Sequence, residues 1–176
     1  SENYENGDAI PSNLSDSEWE TTNSGAVAVY GEDAGCENYS PDIDACDPAQ
    51  SLEEYGRLYN WYAVNDKRGL CPSGWHVPTD GEWTVLEDYL LAKCYWDDAR
   101  ALQTTYGWNG DNNGTDDFGF SALPGGLRLN DGYFNDAGYN GYWWSSSPSG
   151  GYAWYRNLNN ANPDINRIHR INHPEG

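Results

Sequence analysis

"GLCPSGWHVPTDGEWTVLEDYLLAKC", residues 69–94, carries the sharpest structural signal in this chain. Thr79-Asp80-Gly81-Glu82 has the Thr-x-x-Glu form of a capping box. In that box a hydroxyl and a carboxylate satisfy two of the amide donors that a helix start leaves free. Trp83, Leu86, Leu90 and Leu91 then recur at helical spacing. The pattern predicts an amphipathic helix over 80–93. Asp80, Glu82, Glu87 and Asp88 weight its first half and Lys93 sits at its end, the order that the helix dipole favours.

Working upstream, "YGRLYNWYAV" (55–64) reads as a short helix or a passage between helix and strand, with Leu58, Trp61 and Tyr62 on one face. Residues 31–51 form an acidic loop with two prolines, long enough that it must be tethered or functional. "AVAVY" (26–30) alternates like a strand, and residues 1–25 are polar with a turn at Asn6-Gly7-Asp8. Downstream of Cys94 the chain fills with Gly, Asn and Asp between aromatics. Short strands are expected at 118–122, 126–129, 141–146 and 152–158, joined by tight turns. No internal repeat is evident. The order is strand, loop, one or two helices, then short antiparallel strands, which is an α+β class. A length of 176 residues suits one domain with a real core.

That core is unusual. Met is absent and Phe occurs three times, against nine Trp and fourteen Tyr. Indole and phenol groups need partners for their polar ends, so the core should be shallow. A formal charge of −19 excludes nucleic acid, whose phosphates need clustered Lys and Arg, and argues against anionic membranes. No apolar run is long enough to span a bilayer. Cys36, Cys46, Cys71 and Cys94 form no Cys-x-x-Cys pair, and their even number favours an oxidising, extracytoplasmic setting. Of the three pairings, Cys36–Cys46 is preferred because it closes a short acidic loop. Cys71–Cys94 follows by elimination.

Four motifs in order, "YGRLYNWYAV", "GLCPSGWHVPTDGEWTVLEDYL", "GTDDFGFSALPGGLR" and "GYWWSSS" followed by "YAWYR", resemble the Fibrobacter succinogenes major paralogous domain of bacterial surface and secreted proteins. The resemblance runs from about Asn6 to Gly176. It implies a single C-type-lectin-like domain over 1–176, related to formylglycine-generating enzymes and to retroelement-diversified variable proteins, with residues 31–51 as an acidic insertion. It also implies that a first and a last strand of the family pattern are missing. The partner of Cys71 would then be a cysteine of that last strand, and an open strand edge would invite self-assembly. The Asn, Ile, His, Arg and Asp codons of the tail are what adenine-directed diversification yields.

The candidate chemistry is that of a binder. No metalloprotease, nucleophile-elbow or phosphate-loop motif is present. Formylglycine-generating relatives use cysteines late in the chain, and here all four lie at or before position 94. His76, His169 and His173 are read as structural or surface histidines, so no enzyme is expected. "GDNNGTDDFG" (110–119) gathers Asp111, Asn113, Asp116 and Asp117, oxygen donors of the kind Ca²⁺ takes. The same side chains also suit turns that bond their own backbone.

The tail from Tyr152 adds rigid aromatics to polar amides and guanidiniums, as antibody loops do. Tyr155, Arg156, Asn157, Asn159, Asn160, Asn162, Asn166, Arg167, His169 and Arg170 are therefore the expected ligand-binding residues. Ile165, Ile168 and Ile171, spaced by three, suggest an irregular segment rather than a strand. The expectation is a secreted or cell-surface adhesion module for a glycan or protein, or else a structural subunit of a surface filament.

Overall fold

The computed structural model describes residues 1–32, 35–93, 98–150, 152–162 and 164–171. In chain order it contains α1 (Asp16–Thr21), β1 (Val27–Ala28), α2 (Pro48–Glu54), β2 (Leu58–Tyr59), α3 (Trp61–Val64), α4 (Asp80–Ala92) and α5 (Asp98–Leu102). The strands β3 (Gly125–Arg128), β4 (Phe134–Ala137), β5 (Asn140–Ser149), β6 (Tyr152–Asn159) and β7 (Asn166–Ile171) follow. The class is α+β, with more helices among the described residues than the one or two expected. The strands form three small antiparallel sheets, β1–β2, β3–β4 and β5–β6–β7.

The capping box forms as its residues dictate. Thr79 Oγ1 accepts the Glu82 amide, and the Glu82 carboxylate accepts the Thr79 amide at 2.8 Å. Part of the expected 31–51 loop is helical: Asp47 caps α2 by accepting the Ala49 amide, and Pro48 sits where no amide is needed. The Cys36–Cys46 disulfide closes the loop ahead of it.

Two expectations about strands need correction, and one strand was not expected. Residues 118–122 form no strand; only a bridge from Ala122 to Gln103 is present. Phe134–Ala137 is a strand that local pattern hides, because Asp136 takes a positive φ of 73° within it. The tail is regular rather than irregular, since Asn166–Ile171 pairs along β6 from Asn157↔Asn166 to Tyr152↔Ile171.

The core is divided. Trp19, Ala26, Ala28, Tyr30 and Phe134 pack together near the N-terminus. Leu90, Leu102, Trp108 and Leu158 join α4, α5 and β6. Burying Leu158 alone contributes about 1.5–3 kcal/mol by area. The buried indole of Trp108 donates to Thr104 Oγ1 at 3.1 Å, as a core built on polar-edged rings requires.

Two arginines lie wholly inside. Arg128 stacks over Trp19 and Phe134 and bonds Glu32 at 3.0 Å and Asp16 at 3.2 Å. Arg156, on β6, bonds Asp80 at 2.8 Å and also the Glu87 carboxylate, both on α4. These ion pairs fasten the third sheet to α4.

Candidate functional site

The expected binding tail divides into a buried stretch and a half-buried one in which Arg167 is exposed. Tyr155, Arg156 and Asn157 are buried, so they are not displayed on the outer surface of the tail. The reason is alternation along β6. Trp154, Arg156 and Leu158 share the face toward α4, and Tyr155 turns to the other face against Tyr142 and Trp144 at ring distances of 5.9 and 5.6 Å.

The asparagines are spent on one another and on the backbone. Asn157 Nδ2 donates to the Gly141 carbonyl at 3.2 Å. Asn159 donates to Asn140 at 2.6 Å and accepts the Ala161 amide, while Asn160 donates to the Asn109 carbonyl at 3.0 Å. Asn162 accepts the Asp164 amide, and Asn166 lies 3.5 Å from the Asn157 amide oxygen.

Arg167 is 43% exposed, yet it stacks on Trp154 at 3.6 Å and bonds Asp80 twice, at 2.7 and 2.9 Å. These bonds, the Arg167 pair first, hold the Asp80 carboxyl below its ordinary range. The side chains of His169 and Arg170, and all of His173, lie outside the described residues.

In the 110–119 loop, Asp116 accepts the Ser121 amide and hydroxyl, each at 2.7 Å, and Asn113 accepts the Trp108 amide at 3.0 Å. Asp111 and Asp117 are exposed. Among the described residues no three His, Cys, Asp or Glu side chains are placed to hold a metal. Cys71 carries a free thiol, which corrects the pairing with Cys94 expected by elimination. Cys94 lies outside the described residues.

What sequence reasoning missed is a groove. It has a volume of about 890 Å³ and is walled by segments distant in sequence. Tyr55, Leu58, Tyr59 and Val64 form one side, and the 70–78 segment with Leu70, Cys71, Trp75 and Val77 forms the rim. Trp83 and Leu86 of α4, Phe120, Leu123, Leu127 and the β5 aromatics Tyr142, Trp143 and Trp144 complete it. Phe120 bridges the α4 and β5 walls, with ring distances of 6.1 Å to Trp83 and 6.4 Å to Trp143. Trp144 donates to the Tyr59 carbonyl at 2.9 Å and Ser146 to the Pro78 carbonyl at 2.8 Å, so β5 fixes both flanking segments.

Trp75 stands at the rim, 79% exposed, on a turn that its amide closes to Pro72 and that Gly74 allows with a φ of 84°. The buried Trp83 indole N–H has no hydrogen-bond partner among the described residues. The charged groups of the lining are already engaged. Arg57 pairs with Glu2, and His76 bonds Glu82 at 2.9 Å. The Thr79 amide, then His76, pull the Glu82 carboxyl down to about 2. Burial pushes the Cys71 thiol up. The groove therefore offers mainly apolar surface.

A family model described as the Fibrobacter succinogenes major domain matches residues 1–172. The chain belongs to this family. No match to a curated protein or to a solved structure was found. As a Fibrobacter succinogenes major domain, it carries its capping box, free thiol and groove rim within residues 69–94, one of the stretches that carry the resemblance. No helix of this domain among the described residues is long and apolar enough to cross a membrane. Its Cys36–Cys46 disulfide points to an extracytoplasmic location.

Proposed function

We propose that this domain is a non-catalytic, C-type-lectin-like binding module of a bacterial surface or secreted protein, and that it captures its ligand in the aromatic groove. The observation that carries the reading is the open groove itself, rimmed by an almost fully exposed Trp75. An exposed apolar concavity on a protein of charge −19 is the kind of surface kept for a partner. Of the titratable groups at the rim, Glu82 belongs to the capping box of α4 and is bonded by His76, which favours binding over catalysis.

The reading moves the binding face from the tail to the groove, whose wall Tyr155 still helps to form. The test is a panel of surface glycans and surface proteins, read against wild type, a Trp75→Ala/Phe120→Ala variant and an Asn162→Ala/Arg167→Ala variant. Loss in the first alone places the ligand in the groove. Loss in the second alone returns it to the tail.

A second reading, a subunit of a surface assembly, rests on β7. It is the outer strand of its sheet, and its far edge is unpaired among the described residues. Sedimentation over a concentration series tests it, and a monomer throughout removes it.

A further inference from the structure

Resting on the groove as the binding site, we propose that its ligand is an extended segment of another polypeptide, apolar at alternate residues, which adds to the rim as a β-strand. Two observations select a peptide over a sugar.

The first is the lining. Leu58, Val64, Leu70, Leu86 and Leu127 line the groove with the rings, and the β5 indoles Trp143 and Trp144 meet Phe120 and Tyr155 edge-on. Sugar hydroxyls need free polar side chains, and Arg57, His76 and Glu82 are already engaged. Aliphatic side chains at every second position of a strand match such a surface.

The second is the rim backbone. From Trp75 to Thr79 the chain runs without helix or turn; Pro78 holds Val77 extended, and Thr79 is extended at φ −74°, ψ 162°. The Pro78 carbonyl is taken by the Ser146 amide. In an extended chain, neighbouring residues point their main-chain groups to opposite sides, so those of Val77 lie on the side away from Ser146. The Val77 N–H and C=O and the Trp75 C=O have no partner among the described residues. A donor flanked by acceptors at strand spacing is the signature that a peptide backbone completes.

The probe is a blocked peptide of about nine residues, one strand in length, alternating valine and threonine with lysine at each end. Binding is read by tryptophan fluorescence and by the rate of iodoacetamide modification at Cys71, resolved by mass spectrometry. The expected result is saturable binding that slows Cys71 modification. The same peptide N-methylated at its central amides should bind at least about tenfold more weakly, since methylation removes the donors. Maltohexaose should change neither signal. Equal binding of the methylated peptide overturns strand addition.

If the peptide fails to bind while the Trp75→Ala/Phe120→Ala variant still abolishes capture of a surface ligand, strand addition is overturned and the binding-module reading stands. If neither the peptide nor the panel depends on the groove, both are overturned.

Discussion

Replacing Arg156 by Met should cost this domain much of its stability, although the residue sits in the segment whose composition looks most like a displayed surface. The guanidinium is wholly buried and bonds Asp80 and Glu87, which are themselves 18% and 22% exposed. Removing one partner of a fully buried pair costs about 3–5 kcal/mol because the remaining charge is stranded. Here both carboxylates reach some water, and Asp80 keeps Arg167, so the expected cost is about 2–3 kcal/mol.

For a chain of this length that is a fall in Tm of about 4–12 °C. Arg167→Met, at a half-open pair, should cost at most about 1 kcal/mol. Because both arginines share Asp80, the double variant should lose more than the sum of the two. The assay is thermal unfolding followed by near-ultraviolet circular dichroism.

The pH dependence has a definite sign. The folded Asp80 carboxyl is depressed from its ordinary value of 3.8, so its contribution is complete above that value and is lost as pH falls below it. The gap between wild type and Arg156→Met should narrow below about pH 4. An Arg156→Met variant melting within about 2 °C of wild type near neutrality would refute the burial argument.

Thr79→Ala removes the α4 cap hydroxyl and should cost about 1 kcal/mol by urea titration. The Glu82 carboxyl, ordinarily at 4.5 and held at about 2, supports folding above 4.5 and loses that support as pH falls toward 2. Replacing Cys36 and Cys46 together by Ser opens a loop with a sequence separation of 10, an expected loss of about 2–3 kcal/mol by chain entropy. Gly138→Ala should cost more than about 2 kcal/mol, because φ is 92° there and a Cβ would sit 2.3 Å from the Tyr39 carbonyl oxygen. A calcium chelator should shift Tm by no more than about 1 °C, since Asn113 and Asp116 serve their own loop. A clear rise on adding Ca²⁺ would overturn that and restore the ion to the 110–119 loop.

What could be read from the sequence was local. The α4 helix was legible because a capping box and a helical period lie within fifteen residues of one another. The strand β6 was legible from its aromatics. The strand β7 was hidden because its isoleucines serve different ends: Ile165 lies before the strand and packs against the Leu90–Leu158 cluster, while Ile168 is exposed. The role of Arg156 was illegible because its partner lies 76 residues upstream. The asparagines misled for a related reason. An amide side chain can satisfy a buried neighbour as readily as it can greet a ligand, and composition does not distinguish the two. The groove gave no sequence signal, since each wall segment looks like ordinary core or ordinary loop until six of them meet.

The clasp between β6 and α4 also bears on the timing of synthesis. Asp80 and Glu87 leave the ribosome before Arg156 is made, and at about 5–20 residues per second the 76-residue interval lasts about 4–15 s. Through that interval α4 has neither its counter-charges nor the sheet that covers Leu90. The docking of α4 therefore waits until β6 has emerged, however early the N-terminal part of the core closes.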